Sequence, residues 1–240
     1  MAHGFRRERV RRRGAASRGP VPTTYVAILD AQERELLVAL MTQVLSIVEP
    51  PPLAPHGDEF DQMMAEAGLS HLDGAPDRPS PAAAAAGSED LDDPDRDPAL
   101  DRLLPDAHRE DPLLSAEFRR IAAPGLRARK AANLAAAIEL LTRTEMGEVA
   151  GTGRGRTRDD VRLTEEEAGG FAVALTDVRL VVGERLQLRD DADAERLDTA
   201  LATGKLDEPT GWLVAVYDFL TWLQETLTQA MLDRLDDQGR

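Results

Sequence analysis

Cysteine is absent from the 240 residues, which removes disulfides, thiolate metal sites, iron–sulfur clusters and cysteine nucleophiles together. Methionine is left as the readily oxidised sulfur side chain. Aromatic residues are scarce at 4%, whereas Leu, Ala and Val dominate an apolar share of 42%. Sandwiches and barrels draw on β-branched and aromatic residues, so helix is the expectation. No stretch approaches the roughly 18 uninterrupted apolar residues that a membrane span needs. The Arg-rich start is not followed by an apolar signal region with a small-residue cleavage site, so the chain is expected to be cytoplasmic and without membrane contact. Lysine is nearly missing too. Lys130 and Lys205 are its only instances, the habit of a GC-rich coding sequence.

Charge of one sign is in short supply overall, with a formal net charge of -15. Phosphate contacts require a positive surface, so this total opposes autonomous nucleic-acid binding. The cations that exist are unevenly placed. Arg6, Arg7, Arg9, Arg11, Arg12, Arg13 and Arg18 make the first segment basic, and Glu89, Asp90, Asp92, Asp93, Asp95 and Asp97 make a later one acidic. The basic group of Arg6, Arg7, Arg9, Arg11, Arg12 and Arg13 forms a candidate interaction surface for phosphates, a membrane surface or an acidic protein groove, against the alternative of a solvated arm or one neutralised by the chain's own acidic insertion. It lacks the interleaved aromatics that stack single-stranded bases, and no basic recognition helix follows it.

Along the chain, Phe5 to Val10 and Thr23 to Leu29 read as two strands around a turn at Gly14 to Pro22, so residues 1–29 form a basic N-terminal hairpin. Asp30 and Glu33 have capping-box spacing. Leu36, Leu37, Leu40, Met41, Val44, Leu45 and Val48 then recur every three or four residues, giving a first bundle helix over 30–48 that stops at Pro50. Residues 49–97, rich in Pro, Ala, Gly and acid, cannot bury enough apolar surface to offset their ordering entropy and read as a disordered insertion. Within it Phe60, Met63, Met64 and Leu69 offer a docking turn, weighed against a solvated linker.

Residues 98–240 read as the main helical bundle, one domain together with 1–48. Ala99 to Leu104 makes a short helix, and Asp111 caps another with Pro112 at its first position, whose apolar residues Leu113, Leu114, Phe118 and Ile121 are expected to join the bundle. A third is expected to start after Pro124 and Gly125 and to run to Thr144, with Leu126, Leu134, Ile138 and Leu141 inward. Gly147 to Arg158 is a linker. Thr164 and Glu167 cap a helix of about six turns carrying Phe171, Leu175, Val178, Val182 and Leu186. A short helix around Leu197 and Leu201 ends at Gly204. From Glu208 to Leu235 runs the most apolar element, with Trp212, Leu213, Val216, Phe219, Leu220, Leu223, Leu227 and Met231 inward and Asp218, Thr221, Glu225 and Thr228 outward. The fold class is therefore mainly α, a helical bundle with a short N-terminal β-hairpin and a disordered acidic insertion.

Candidate chemistry is sparse. His3, His56, His71 and His108 fall in expected loops with no metal-ligand spacing, and no phosphate-cradling Gly-rich loop or nucleophile elbow occurs, so no metal, cofactor or catalytic residue is expected. Asp177 and Asp218 lie on the two strongest helices and would make an acid–base pair if they faced one cleft. The competing reading is a structural polar network of Arg127, Lys130, Asp177, Arg179 and Asp218, since ion-pair networks often imitate active sites. Trp212 and Trp222, at helical spacing among Leu and Phe, read as core aromatics rather than a cofactor box.

Several strings carry a resemblance: Asp97-Pro98-Ala99-Leu100 through Leu103-Leu104-Pro105-Asp106, Glu117-Phe118-Arg119-Arg120, Leu126-Arg127 with Lys130 and Asn133, Asp177-Val178-Arg179-Leu180, and Val216-Tyr217-Asp218-Phe219-Leu220-Thr221-Trp222-Leu223-Gln224-Glu225. With the order of elements, they make the chain resemble the AosR-type oxidative-stress transcriptional regulators of actinobacteria, a family formerly catalogued as a domain of unknown function. The resemblance implies regulation of transcription through contact with a sigma factor or RNA polymerase, with DNA met only within such a complex. A thiol sensor does not fit, because no thiol is present. The expectation is a non-enzymatic, dimeric regulator. The alternative is an adaptor of a protease or proteostasis system, which needs the same lack of catalytic groups.

Overall fold

The computed structural model describes residues 3–9, 23–49, 96–105, 111–145 and 160–238. The expected turn at 14–22, nearly all of the acidic insertion, the linker at 147–158, and Arg11, Arg12, Arg13, His56, His71 and His108 lie outside the described residues. The elements in order are β1 (His3–Arg9), β2 (Thr23–Ile28), α1 (Ala31–Val48), α2 (Ala99–Leu103), α3 (Pro112–Glu145), β3 (Asp160–Thr164), α4 (Glu165–Arg185), α5 (Asp191–Ala202) and α6 (Glu208–Gln238). The chain is mainly α with a small antiparallel sheet. It divides into two compact units, one built from residues 1–45 and 130–240, the other from 46–129.

In the first unit the sheet order is β1-β2-β3, with both pairings antiparallel. The hairpin expected at the N-terminus is present. Tyr25, Val26 and Ala27 on the central strand are buried. Strand β3 falls between the expected linker and the helix cap at Thr164, so the sequence reading missed it. Its alternation of buried Val161 and Leu163 with Asp160, Arg162 and Thr164 is the ordinary signature of a half-covered strand.

Helices α4 and α6 pack against each other and cover the sheet, α6 against β1 and α4 against β2 and β3. Phe5 inserts its ring edge-on to Phe171 of α4, centroids 5.8 Å apart, and its backbone N–H donates to Thr226 Oγ1 of α6 at 3.1 Å. The close approach of α6 leaves no room for a side chain at residue 4, where a Cβ would lie 2.6 Å from Thr226 Cγ2. Glycine is therefore required by packing there. A bulge between His3 and Arg6 resets the β1 register beside this contact. His3, expected in a loop, is an exposed residue of β1.

Both expected capping boxes form. Glu33 N–H donates to Asp30 Oδ1 at 2.9 Å while Asp30 N–H donates to Glu33 Oε2 at 2.8 Å, and Thr164 and Glu167 do the same at the start of α4. Helix α1 buries Leu37, Leu40, Met41 and Val44. The stretch of α3 in this unit buries Leu134, Ala137, Leu140 and Leu141. Helix α5 differs from the rest, because it buries no residue at all. Its ends are nonetheless well made, with an Asp190–Asp193 capping box and Gly204 at φ +64 after its last turn.

In the second unit α2 buries Ala99, Leu100 and Leu103. Asp111 Oδ1 accepts from Leu114 N–H at 3.0 Å, the cap expected for a helix starting at Pro112. That helix does not end at Pro124. Proline fits the helical φ but removes one ladder donor and crowds the carbonyl four residues back, together a cost of about 3 kcal/mol, and Ala123 and Arg127 beside it are buried. One long α3 therefore replaces the two helices expected.

Candidate functional site

Strand β1 ends at Arg9, which pairs with Thr23 at the start of β2. The Arg-rich residues 10–22 between these two positions lie outside the described residues. On the strand itself Arg6 is exposed and bonded to Glu8 at 3.1 Å, whereas Arg7 Nη1 donates to the Asp233 carbonyl of α6 at 3.1 Å. Arg162 reaches across β2 from β3, donating to Glu8 Oε2 at 3.0 Å and to Asp160 Oδ2 at 2.9 Å. Burial works against the Glu8 charge, but the bonds from Arg162 and Arg6 outweigh it and hold the carboxyl below its ordinary value. Desolvation likewise opposes the Arg162 charge, and Asp160 and Glu8 reverse it. The Arg6–Glu8–Arg162–Asp160 chain was not anticipated. Its trace in the sequence is a pair of opposite charges two residues apart on each strand, Arg6 with Glu8 and Asp160 with Arg162.

The suggested polar network resolves into separate pieces. Lys130 Nζ donates to Asp177 Oδ1 at 2.5 Å, joining α3 to α4. Asp177 is only 1% exposed, and its Oδ2 has no hydrogen-bond partner among the described residues. Burial raises its pKa from the ordinary value, and the hydrogen bond and charge of Lys130 offset this in part. Arg179, one turn-half further along α4, faces α6 instead. Its Nη1 donates to Gln224 Oε1 at 2.8 Å, and its guanidinium lies 5.2 Å from the centre of the Tyr217 ring. Gln224 Nε2 in turn donates to Thr176 Oγ1 at 2.7 Å. Arg127 belongs to the second unit, where Nη1 donates to the Val48 carbonyl at 3.4 Å.

Asp218 is exposed on α6 and lies in a different environment from buried Asp177. An open cleft of about 620 Å³ runs beside α6, lined by Arg179, Gln224, Glu225, Thr226, Thr228, Gln229 and Leu232, and it includes neither aspartate. Its ionisable groups are one arginine and one glutamate, and the arginine is occupied by Gln224 and Tyr217. Trp212 departs from the expectation of a core aromatic. It is 53% exposed near the start of α6. Trp222 is half-buried against Phe219, with ring centroids 6.1 Å apart.

No helix among the described residues is long and apolar enough to cross a membrane. Among the same residues no group of three or more His, Asp or Glu is placed to hold a metal ion. No curated protein and no solved structure matches the chain. A family model described as a domain of unknown function, DUF2017, matches residues 3–231. The match covers nearly every element described above, and the chain belongs to the DUF2017 family.

Proposed function

We propose that this protein is a non-enzymatic regulator of transcription that acts by touching a sigma factor or RNA polymerase with its Arg-rich N-terminal segment. One observation carries this reading: the run bearing Arg11, Arg12, Arg13 and Arg18 joins two paired strand positions, Arg9 and Thr23, of a sheet fixed to α4 and α6. Holding the flanking residues on a packed sheet limits the conformational entropy that a contact made between them costs. A net charge of -15 favours a protein partner over bare DNA, because the remainder of the surface repels phosphate. The resemblance to AosR-type regulators of the oxidative-stress response points to the same class of partner. With no cysteine in the chain, a response to oxidation belongs to the partner or to methionine.

The test is co-purification from stressed and unstressed cells. Sigma factor or polymerase is expected with the unaltered chain and is lost with Arg11→Ala, Arg12→Ala and Arg13→Ala combined. Recovery of a protease or its chaperone instead, unaffected by those changes, establishes the adaptor reading in place of this one.

A further inference from the structure

Seven large apolar side chains are exposed among the described residues, and three of them lie on one short stretch of α3. Leu114 is 52% exposed, Phe118 49% and Ile121 67%. Their steps of four and three residues continue to Gly125 and Ala128, which are also exposed. A repeat of alternating three and four residues keeps one seam of a helix facing a second helix, the pattern by which two helices interlock side chains. None of the five seam positions carries charge, in a chain that is 30% charged. The seam is therefore unsuited to a phosphate backbone or to a strongly charged peptide.

The order of sizes along the seam selects the occupant. The large residues come first and the small ones follow. Two copies laid antiparallel, with the twofold axis beside Ala123, put Phe118 of each opposite Ala128 of the other and Ile121 opposite Gly125. Large side chains then fill the space above small ones on both sides of the axis, as an isologous contact requires. A parallel pair sets Phe118 on Phe118 and leaves Gly125 facing Gly125 across a void. We propose that the face of α3 from Leu114 to Ala128 is a homodimer contact, formed by antiparallel pairing with a second copy of this chain.

The seam is about 20 Å long at the helical rise per residue. With a helix about 10 Å across, one such face covers on the order of 200 Å², well below the roughly 800 Å² per partner of a standard stable interface, so the dimer is concentration-dependent rather than permanent. Sedimentation velocity of the full chain over a range of concentrations is expected to show a monomer–dimer equilibrium. Phe118→Asp is expected to leave a monomer whose circular dichroism is unchanged, since the ring is half exposed. The lack of native cysteine permits a direct test of orientation. A Cβ at Gly125 meets nothing within 4 Å, so Gly125→Cys is accommodated. Mixing Ile121→Cys and Gly125→Cys chains under mild oxidation is expected to give a disulfide-linked dimer containing one of each. Cross-linking of either variant with itself, at the rate seen in the mixture, contradicts the antiparallel register. A monomer at every concentration contradicts the contact altogether and assigns the face to another partner.

Discussion

Lys130 and Asp177 form an ion pair between α3 and α4 in which Asp177 is buried and Lys130 partly so, and its energetics follow from that burial. Removing one partner leaves an uncompensated charge, which costs about 3–5 kcal/mol when the remaining group is fully buried. Lys130→Met is expected to destabilise by that order near neutral pH. The loss eases in acid, because Asp177, with its pKa already raised by burial, takes up a proton and becomes neutral. The sign for the unaltered protein follows from the same shift. Between the ordinary value of 3.8 and the raised folded value the folded chain holds the proton more tightly than the unfolded one, so this group's contribution to stability falls as pH rises through that window. Asp177→Asn is expected to abolish that slope, as measured by urea unfolding at a series of pH values. Helix periodicity marked positions 130 and 177 as polar sites at the border of apolar stripes. It says nothing of which helix lies opposite, so Arg127, Arg179 and Asp218 were grouped with them although each meets different surroundings. Gly4 is a second residue-scale test. Gly4→Ala forces a Cβ to 2.6 Å from Thr226 Cγ2 and is expected to cost about 1–3 kcal/mol by overpacking, with partial recovery when Thr226→Ala is added.

Among the elements, α4 and α5 begin with the same reciprocal cap and differ in everything else. Helix α4 buries Phe171, Leu175, Val178 and Val182, whereas α5 buries nothing. Thr164→Ala is therefore expected to lower the stability of the whole unit by roughly 1 kcal/mol. Asp190→Ala is expected to melt α5 alone, since a helix of that length is marginal without tertiary support. Amide exchange reads the contrast: protection in 191–202 is lost in the second variant while the global unfolding midpoint stays put. Loss of protection throughout α4 and α6 on Asp190→Ala contradicts this division. The capping boxes at Asp30 and Thr164, the hairpin and the long α6 were legible because each depends on neighbours within a few residues, whereas the Asp190–Asp193 box was missed. Pro124 and β3 were not legible. A proline interrupts a helix by local preference, and only the burial of Ala123 and Arg127 on either side shows why α3 continues. Strand β3 is short, and its register is fixed by Tyr25 and Val26, residues far away in sequence.

For the whole molecule, the distribution of charge matters more than its sum. The sheet neutralises part of its own basic complement, with Arg6 and Arg162 committed to Glu8 and Asp160, and Arg7 to a carbonyl of α6. The arginines that follow Arg9 are the ones the proposed contact relies on. The hairpin read from the sequence already sets the residues on either side of these arginines on paired strands, whereas the packing of that sheet under α4 and α6 is a fact of long-range contact. Titration of purified sigma factor or RNA polymerase with the full chain and with the Arg11→Ala, Arg12→Ala, Arg13→Ala chain, across a series of salt concentrations, tests the proposed contact most directly. The predicted result is an affinity at least about tenfold weaker for the variant at low salt, a gap that narrows as ionic strength rises and screens the arginines. Equal affinities for the two chains at every salt concentration contradict it.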